Sequence, residues 1–262
     1  MQIDFINDPY CIIIIVGLSF ARILPVICFW PFVGSKMVLL PVKIGLSLIF
    51  AMILFPFLHI DKSAQIILQS NMVILLFLKE IMTGMMIGFV GSIPFHAYES
   101  AGRFIDIQQN SSIANILVPH FHSDSSLFGN FMFQVGIIVF FAINGHQYFI
   151  KALFKSFFAI PLCIVPQIGN SVDSIIRLTA DLFIIIVQLS APAIITIFLI
   201  DLMMALINKI VPQFNMFLFS MSIKALSGTI IMLCAFSLVV IKMSHIFLSA
   251  CTRFMHIIDL LH

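Results

Sequence analysis

The stretch 99-ESAGRFIDIQQNSSIANILVPHFHSDSS-126 lies between greasy segments of membrane-spanning length, and its reading governs the reading of everything around it. It holds the charges Glu99, Arg103, Asp106 and Asp124 and most of the chain's polar clusters. An uncharged apolar run follows, and then 144-NGHQYFIKALFKSFFAIP-161. A polar insert of this length exceeds an ordinary connection, and such loops are either functional or disordered. Gly102, Pro119 and Gly129 punctuate it and Ile and Val stud it, so it reads as ordered against protein. Glu99, Arg103 and Asp106 fall at i, i+4 and i+7, on one helix face, with the arginine able to pair in either direction. That trio fits two readings: a solvated helix end with surface ion pairs, or a charge cluster held inside an assembly.

Composition excludes a soluble domain. Hydrophobic residues make up 61% of the 262 and charged residues 9%, against roughly a quarter charged in soluble chains. The apolar runs exceed what a core helix needs, so the chain reads as an integral membrane protein. A net charge of +2 without any Lys/Arg-rich cluster gives no footprint for nucleic acid. Asp4 and Asp8 precede the first apolar run and no early Lys or Arg does, so that run reads as an uncleaved span. Five cysteines stand singly in apolar runs, with no CxxC, and read as buried, inert thiols.

Residues 10–33 form the first run, interrupted by Arg22, Pro25 and Pro31. Its 14 Leu, Ile, Val and Phe residues contribute on the order of −4 to −8 kcal/mol to insertion, against roughly +3 for one central Arg. The segment inserts, and the arginine must face a partner rather than lipid. Residues 41–58 are the second run. The third, 64–95, is too long for one straight crossing and carries Lys79-Glu80 in its middle, so either two elements meet there or one helix bends. Gly84-x3-Gly88 has the small-x3-small spacing of a close helix contact, and Gly91 breaks its period. Residues 125–150 carry no charge and read as the cleanest span. Pro192 is placed to kink the run 182–200. Arg22, Lys43, Lys79, Glu80, Asp201, Lys224 and Lys242 all lie within or beside apolar runs, which implies charges buried against protein, much of it on other chains.

The order AGRFIDIQQ, a polar/apolar segment, Val-Pro, an apolar span, NGH, KSF and a proline resembles the central region of the FliR/SctT family of type III secretion export-gate proteins. ARILPVICFWPFVGSKMVLLPVKIGLSLIF, from Ala21, resembles the family's Arg-bearing helix, proline break and second span. VPQFNMFLFSMSIKALSG, from Val211, resembles its Pro-Gln-x-Asn-x-Phe motif followed by a lysine and a glycine. The resemblance implies an all-α integral membrane protein of kinked helical hairpins, packed as one subunit of a helical export-gate assembly in the bacterial inner membrane. It implies a single domain over 1–262, with 1–171 similar to the SctR/FliP fold and 172–262 to the SctS/FliQ hairpin. Its partners would be SctR/FliP-type and SctS/FliQ-type subunits, the SctU/FlhB-type switch protein, transient exported polypeptides and the lipid bilayer.

By the same resemblance, residues 107–121 correspond to an inward plug. Ile107, Gln108, Gln109, Asn110, Ser111, Ser112, Ile113, Ala114, Asn115 and Pro119 are its plug or gate residues. Asn110 stands where the family commonly has Gly, and Asn tolerates left-handed backbone better than most residues. Arg22, Glu99, Gly102, Arg103, Asp106, Asn144, Gly145, His146, Pro212, Gln213, Asn215 and Lys224 are the assembly and ion-pair residues. Asn144-Gly145-His146 reads either as a capped turn or, by the resemblance, as a fixed joint between two helices. The Pro31-Phe32-x-Gly34-x-Lys36 and Pro41-x-Lys43-Ile44-Gly45 patterns are more similar to injectisome than to flagellar members. His120, His122 and Asp124 lack a second ligand cluster and read as a polar turn rather than a metal site. No catalytic motif stands in context, so no enzyme, cofactor or metal is expected. A secondary transporter would need paired halves that the chain lacks, and a scaffold without a conduit is a third reading.

Overall fold

Inside a bilayer a backbone must satisfy its own N–H and C=O groups, so apolar runs of this length are forced into helices. Every regular element among the described residues is indeed helical. The computed structural model describes residues 9–34, 38–58, 73–109, 126–162, 169–211 and 216–260. Helix α1 is Pro9–Phe29 and runs through Pro25. Helix α2 is Leu40–Leu54, opened by a proline in its first turn and closed by a 3-10 turn, Phe55–Phe57. Then come α3 (Val73–Gln108), α4 (Leu127–Ala142), α5 (Gly145–Ala159), α6 (Gly169–Ile210) and α7 (Met216–Leu260). Among the described residues five helices are long and apolar enough to cross a membrane, or six spans if the broken pair α4 and α5 counts as one.

Three features sharpen or correct the sequence reading. The uncharged run 125–150 is not one continuous helix, because Asn144 turns the chain at φ 57°, in the left-handed region. Its side chain caps nothing there; the corner is made by the backbone, with Gln147 N donating to Asn144 O at 3.0 Å. Hydropathy has no view of backbone handedness, and Asn is one of the few residues that enters that region readily. Of the two readings for Lys79-Glu80, the one that joins two elements there falls and the single helix stands, since α3 runs on from Val73 to Gln108. Finally, Cys28 and Cys234 are exposed on the surface of the chain rather than buried.

The chain divides into two compact units. One comprises Met1–Ile93, Asn144–Leu178 and Ser249–His262, the other Pro94–Ile143 and Thr179–Leu248. In the first, α1 packs against α2 and meets the N-terminal part of α3 at its glycines. A Cβ on Gly84 would collide with the Arg22 carbonyl oxygen, and one on Gly88 would lie 2.8 Å from the Phe29 Cβ. The small-x3-small spacing thus serves a contact within the chain, and Gly91 faces the Phe149 ring of α5 instead. Leu18, Ile23, Val26, Ile27, Leu54 and Ile160 fill this unit's core.

The second unit is centred on rings. Phe95 meets Phe140 at 5.2 Å and Phe247 at 4.8 Å, both edge-on. Such pairs add to what burial alone contributes. The buried Tyr98 hydroxyl donates to the Met243 carbonyl at 3.0 Å, tying α3 to α7. Outside these cores large apolar side chains stand exposed along whole helices. Of the residues in the most apolar stretch of each helix, 17% are buried in α2 and 28% in α6 and in α7. Faces this apolar belong to lipid or to other protein chains.

Candidate functional site

The C-terminal end of a helix leaves carbonyls without intrahelical donors. At the end of α5 this demand falls in a wholly buried place, and cations from α1 and α3 meet it. Arg22 Nη1 donates to Ser156 O and Nη2 to Ile160 O, each at 2.9 Å. Its Nε donates to the Glu80 carboxylate. The Phe157 ring centroid lies 4.4 Å from the guanidinium carbon. Lys79 Nζ donates to Pro161 O at 3.1 Å and to Leu162 O at 2.9 Å, and it lies 2.6 Å from Glu80 Oε1. Arg22 and Glu80 are both 0% exposed. Two cations, one carboxylate and the negative end of a helix dipole therefore balance in one node.

This node corrects the expectation that charges in the spans are met on other chains. Arg22, Lys79 and Glu80 satisfy one another inside this chain, and Asp201 pairs with Lys224 in the same way. Sequence reasoning had each charge in hand but not the pairing. A clue was there: Lys79-Glu80 carries the one carboxylate within the first three apolar runs, and Arg22 needed a carboxylate.

The polar stretch is built on a second principle, capping. Ser126 is the N-cap of α4, its Oγ accepting from Gly129 N at 2.8 Å. The same hydroxyl donates to Asp106 Oδ2, which also accepts from Phe128 N at 3.0 Å. An anion at a helix N-terminus is favoured by the free N–H groups and by the dipole. Gly102 makes the approach feasible, since a Cβ there would strike the Phe128 carbonyl. The end of α3 at Asp106 and the start of α4 at Ser126 are thereby clipped together.

The trio Glu99, Arg103 and Asp106 is split by this arrangement. Arg103 Nη2 bonds Glu99 Oε1 at 2.6 Å as an exposed pair, with the arginine side chain 54% exposed. Asp106, 5% exposed, turns inward to the cap. Gln109, 3% exposed, is buried against Gly228 of α7. Among the described residues, Asp106 Oδ1 and Gln109 Nε2 find no hydrogen-bond partner.

Of the remaining candidate residues, Ile107 is exposed and Gln108 half-buried at the end of α3. Asn144 is exposed, Gly145 buried and His146 half-buried at the joint before α5. Lys224 is buried beside Asp201. Asn110, Ser111, Ser112, Ile113, Ala114, Asn115, Pro119, Pro212, Gln213 and Asn215 lie outside the described residues, as do His120, His122 and Asp124. Among the described residues no group of three or more His, Cys, Asp or Glu side chains is arranged to hold a metal ion.

Comparison with known proteins places the geometry in context. Residues 13–250 match the family described as bacterial export proteins, family 1. The chain is 28% identical over 233 residues to the flagellar biosynthetic protein FliR of Bacillus subtilis, covering 88% of this chain and 89% of that one. It is 30% identical over 200 residues to the Yop proteins translocation protein T of Yersinia pestis, covering 76% and 77%. It is 29% identical over 161 residues to the secretion system apparatus protein SsaT of Salmonella typhimurium, covering 60% and 61%.

Proposed function

The chain belongs to the bacterial export proteins, family 1, and on that premise we propose that it is an inner-membrane subunit of a type III export gate, part of the closed channel through which unfolded proteins leave the cell. The observation that carries this reading is the extent of the match, from residue 13 to residue 250, together with relatives in both flagellar and secretion systems. Internally mated charges beneath largely exposed apolar helices suit such a subunit. The fold holds its own polar groups and leaves its outer faces for neighbours. Those neighbours are SctR/FliP-type and SctS/FliQ-type subunits and an SctU/FlhB-type switch protein. Residues 1–171 correspond to the first kind of fold and 172–262 to the second.

Residues 107–121 act as the plug that keeps the channel shut until a polypeptide arrives. Support comes from the polar sequence set between membrane-grade helices and from the clip between Asp106 and the N-terminus of α4. The Pro31-Phe32-x-Gly34-x-Lys36 pattern favours an injectisome, and relatives of both kinds match. The test is conductance of the assembled gate in a planar bilayer. Removing part of 107–121 should raise the ion leak several-fold, and an unchanged conductance would withdraw the plug assignment. A chain that transports a small solute when purified alone would overturn the gate reading itself.

A further inference from the structure

A charge inside an apolar helix is costly unless it is mated, and this chain mates Arg22 and Lys79 with Glu80 and Lys224 with Asp201. Among the described residues Lys242 has no such mate. It stands exposed in α7, within the span Phe219–Arg253, and lines a cavity of about 460 Å³ between α6 and α7. Gln188 and His245 are the other polar side chains of that wall, which carries no acidic residue. Pro192, also on the wall, has no N–H for the Gln188 carbonyl four residues earlier, which adds a backbone acceptor to these polar side chains on an apolar ground. Along α7 the exposed wall residues Leu238, Ile241, Lys242 and His245 recur at i, i+3, i+4 and i+7. That spacing is the ridge on which another helix seats.

We infer that this groove docks an apolar helix of a neighbouring subunit carrying a single Asp or Glu, whose carboxylate takes the Lys242 ammonium. The inference rests on the gate-subunit reading and specifies the contact that reading leaves open. Two observations single out a helix with a carboxylate. The stripe has helical spacing, and each in-span cation mated within this chain is met by carboxylates and carbonyls of protein. A docked helix of this kind neutralises the ammonium and covers Leu238 and Ile241, which are 68% and 55% exposed.

The test uses the full chain in its own cell membrane with p-benzoylphenylalanine in place of Ile241. Photolysis and mass spectrometry of the purified complex then identify what occupies the groove. The expected product is a cross-link to a membrane subunit, within an apolar peptide that contains one Asp or Glu. Its yield should fall about tenfold or more in a Lys242→Glu chain, as loss of a buried ion pair requires, and survive Lys242→Arg. Should Lys242→Glu fail to accumulate, Lys242→Gln supplies the same comparison with an intermediate loss. Cross-links to lipid alone, or none, in a complex that otherwise assembles would overturn the inference and leave the gate reading standing. A yield insensitive to every Lys242 change would overturn it as well. A chain that purifies without any gate subunit would overturn both.

Discussion

Replacing Arg22 by leucine strips the node of its centre. The substitution removes the guanidinium donors 2.9 Å from the Ser156 and Ile160 carbonyls, of which Ser156 O keeps the Ile160 N–H, and it leaves Glu80 with Lys79 alone. Removing one partner of a buried pair costs about 3–5 kcal/mol, which is roughly two to four orders of magnitude in a folding equilibrium. In a chain of this size the melting temperature should fall on the order of 10 °C, taking about 2–4 °C per kcal/mol. Fluorescence-detected size exclusion of detergent-solubilised protein after graded heating reads this directly. The double variant Arg22→Leu with Glu80→Leu sharpens the result. Removing both charges leaves no uncompensated carboxylate, so part of the lost stability should return, with a coupling of at least about 1–2 kcal/mol. Lys79 keeps its own carbonyl partners in that background. An Arg22→Leu chain with wild-type yield and a melting temperature within about a degree of the parent's would refute the reasoning, because the guanidinium would then contribute nothing beyond its own solvation.

Two further perturbations examine packing and capping. Gly84→Ala places a Cβ against the Arg22 carbonyl, so α1 and α3 must part; the expected loss is about 1–3 kcal/mol, seen in the same thermal assay, and a neutral result would mean the two helices can separate freely. Asp106→Ala removes the acceptor of both Ser126 Oγ and Phe128 N, a loss of about 1–3 kcal/mol. It should also raise the leak of the assembled gate, whereas Arg103→Ala, which breaks an exposed pair, should change stability by no more than about 1 kcal/mol.

Much of this protein could be read from the order of its residues. Hydropathy alone placed it in a membrane as a set of helices, since a run such as 10–33 has no other stable form in lipid. The motifs around Arg103, Asn144 and Gln213 led to the family. The arginine in the first run had to find a partner, because an unpaired guanidinium at that depth is too costly. Which partner it found depends on contacts between residues 58 and more positions apart, where Arg22 reaches Glu80 and the end of α5. The same holds for Asp106, whose spacing pointed to Arg103 while folding offered it the N-terminus of α4. The turn at Asn144 was legible in Asn-Gly-His, but its form was not, because its cause is a left-handed backbone angle rather than a side-chain cap or a change in polarity. Periodicity reports which side of a helix is apolar, and so the elements and their environment were determined locally. Pairing is settled by which groups the packed chain brings within hydrogen-bond reach, and that only the tertiary structure decides.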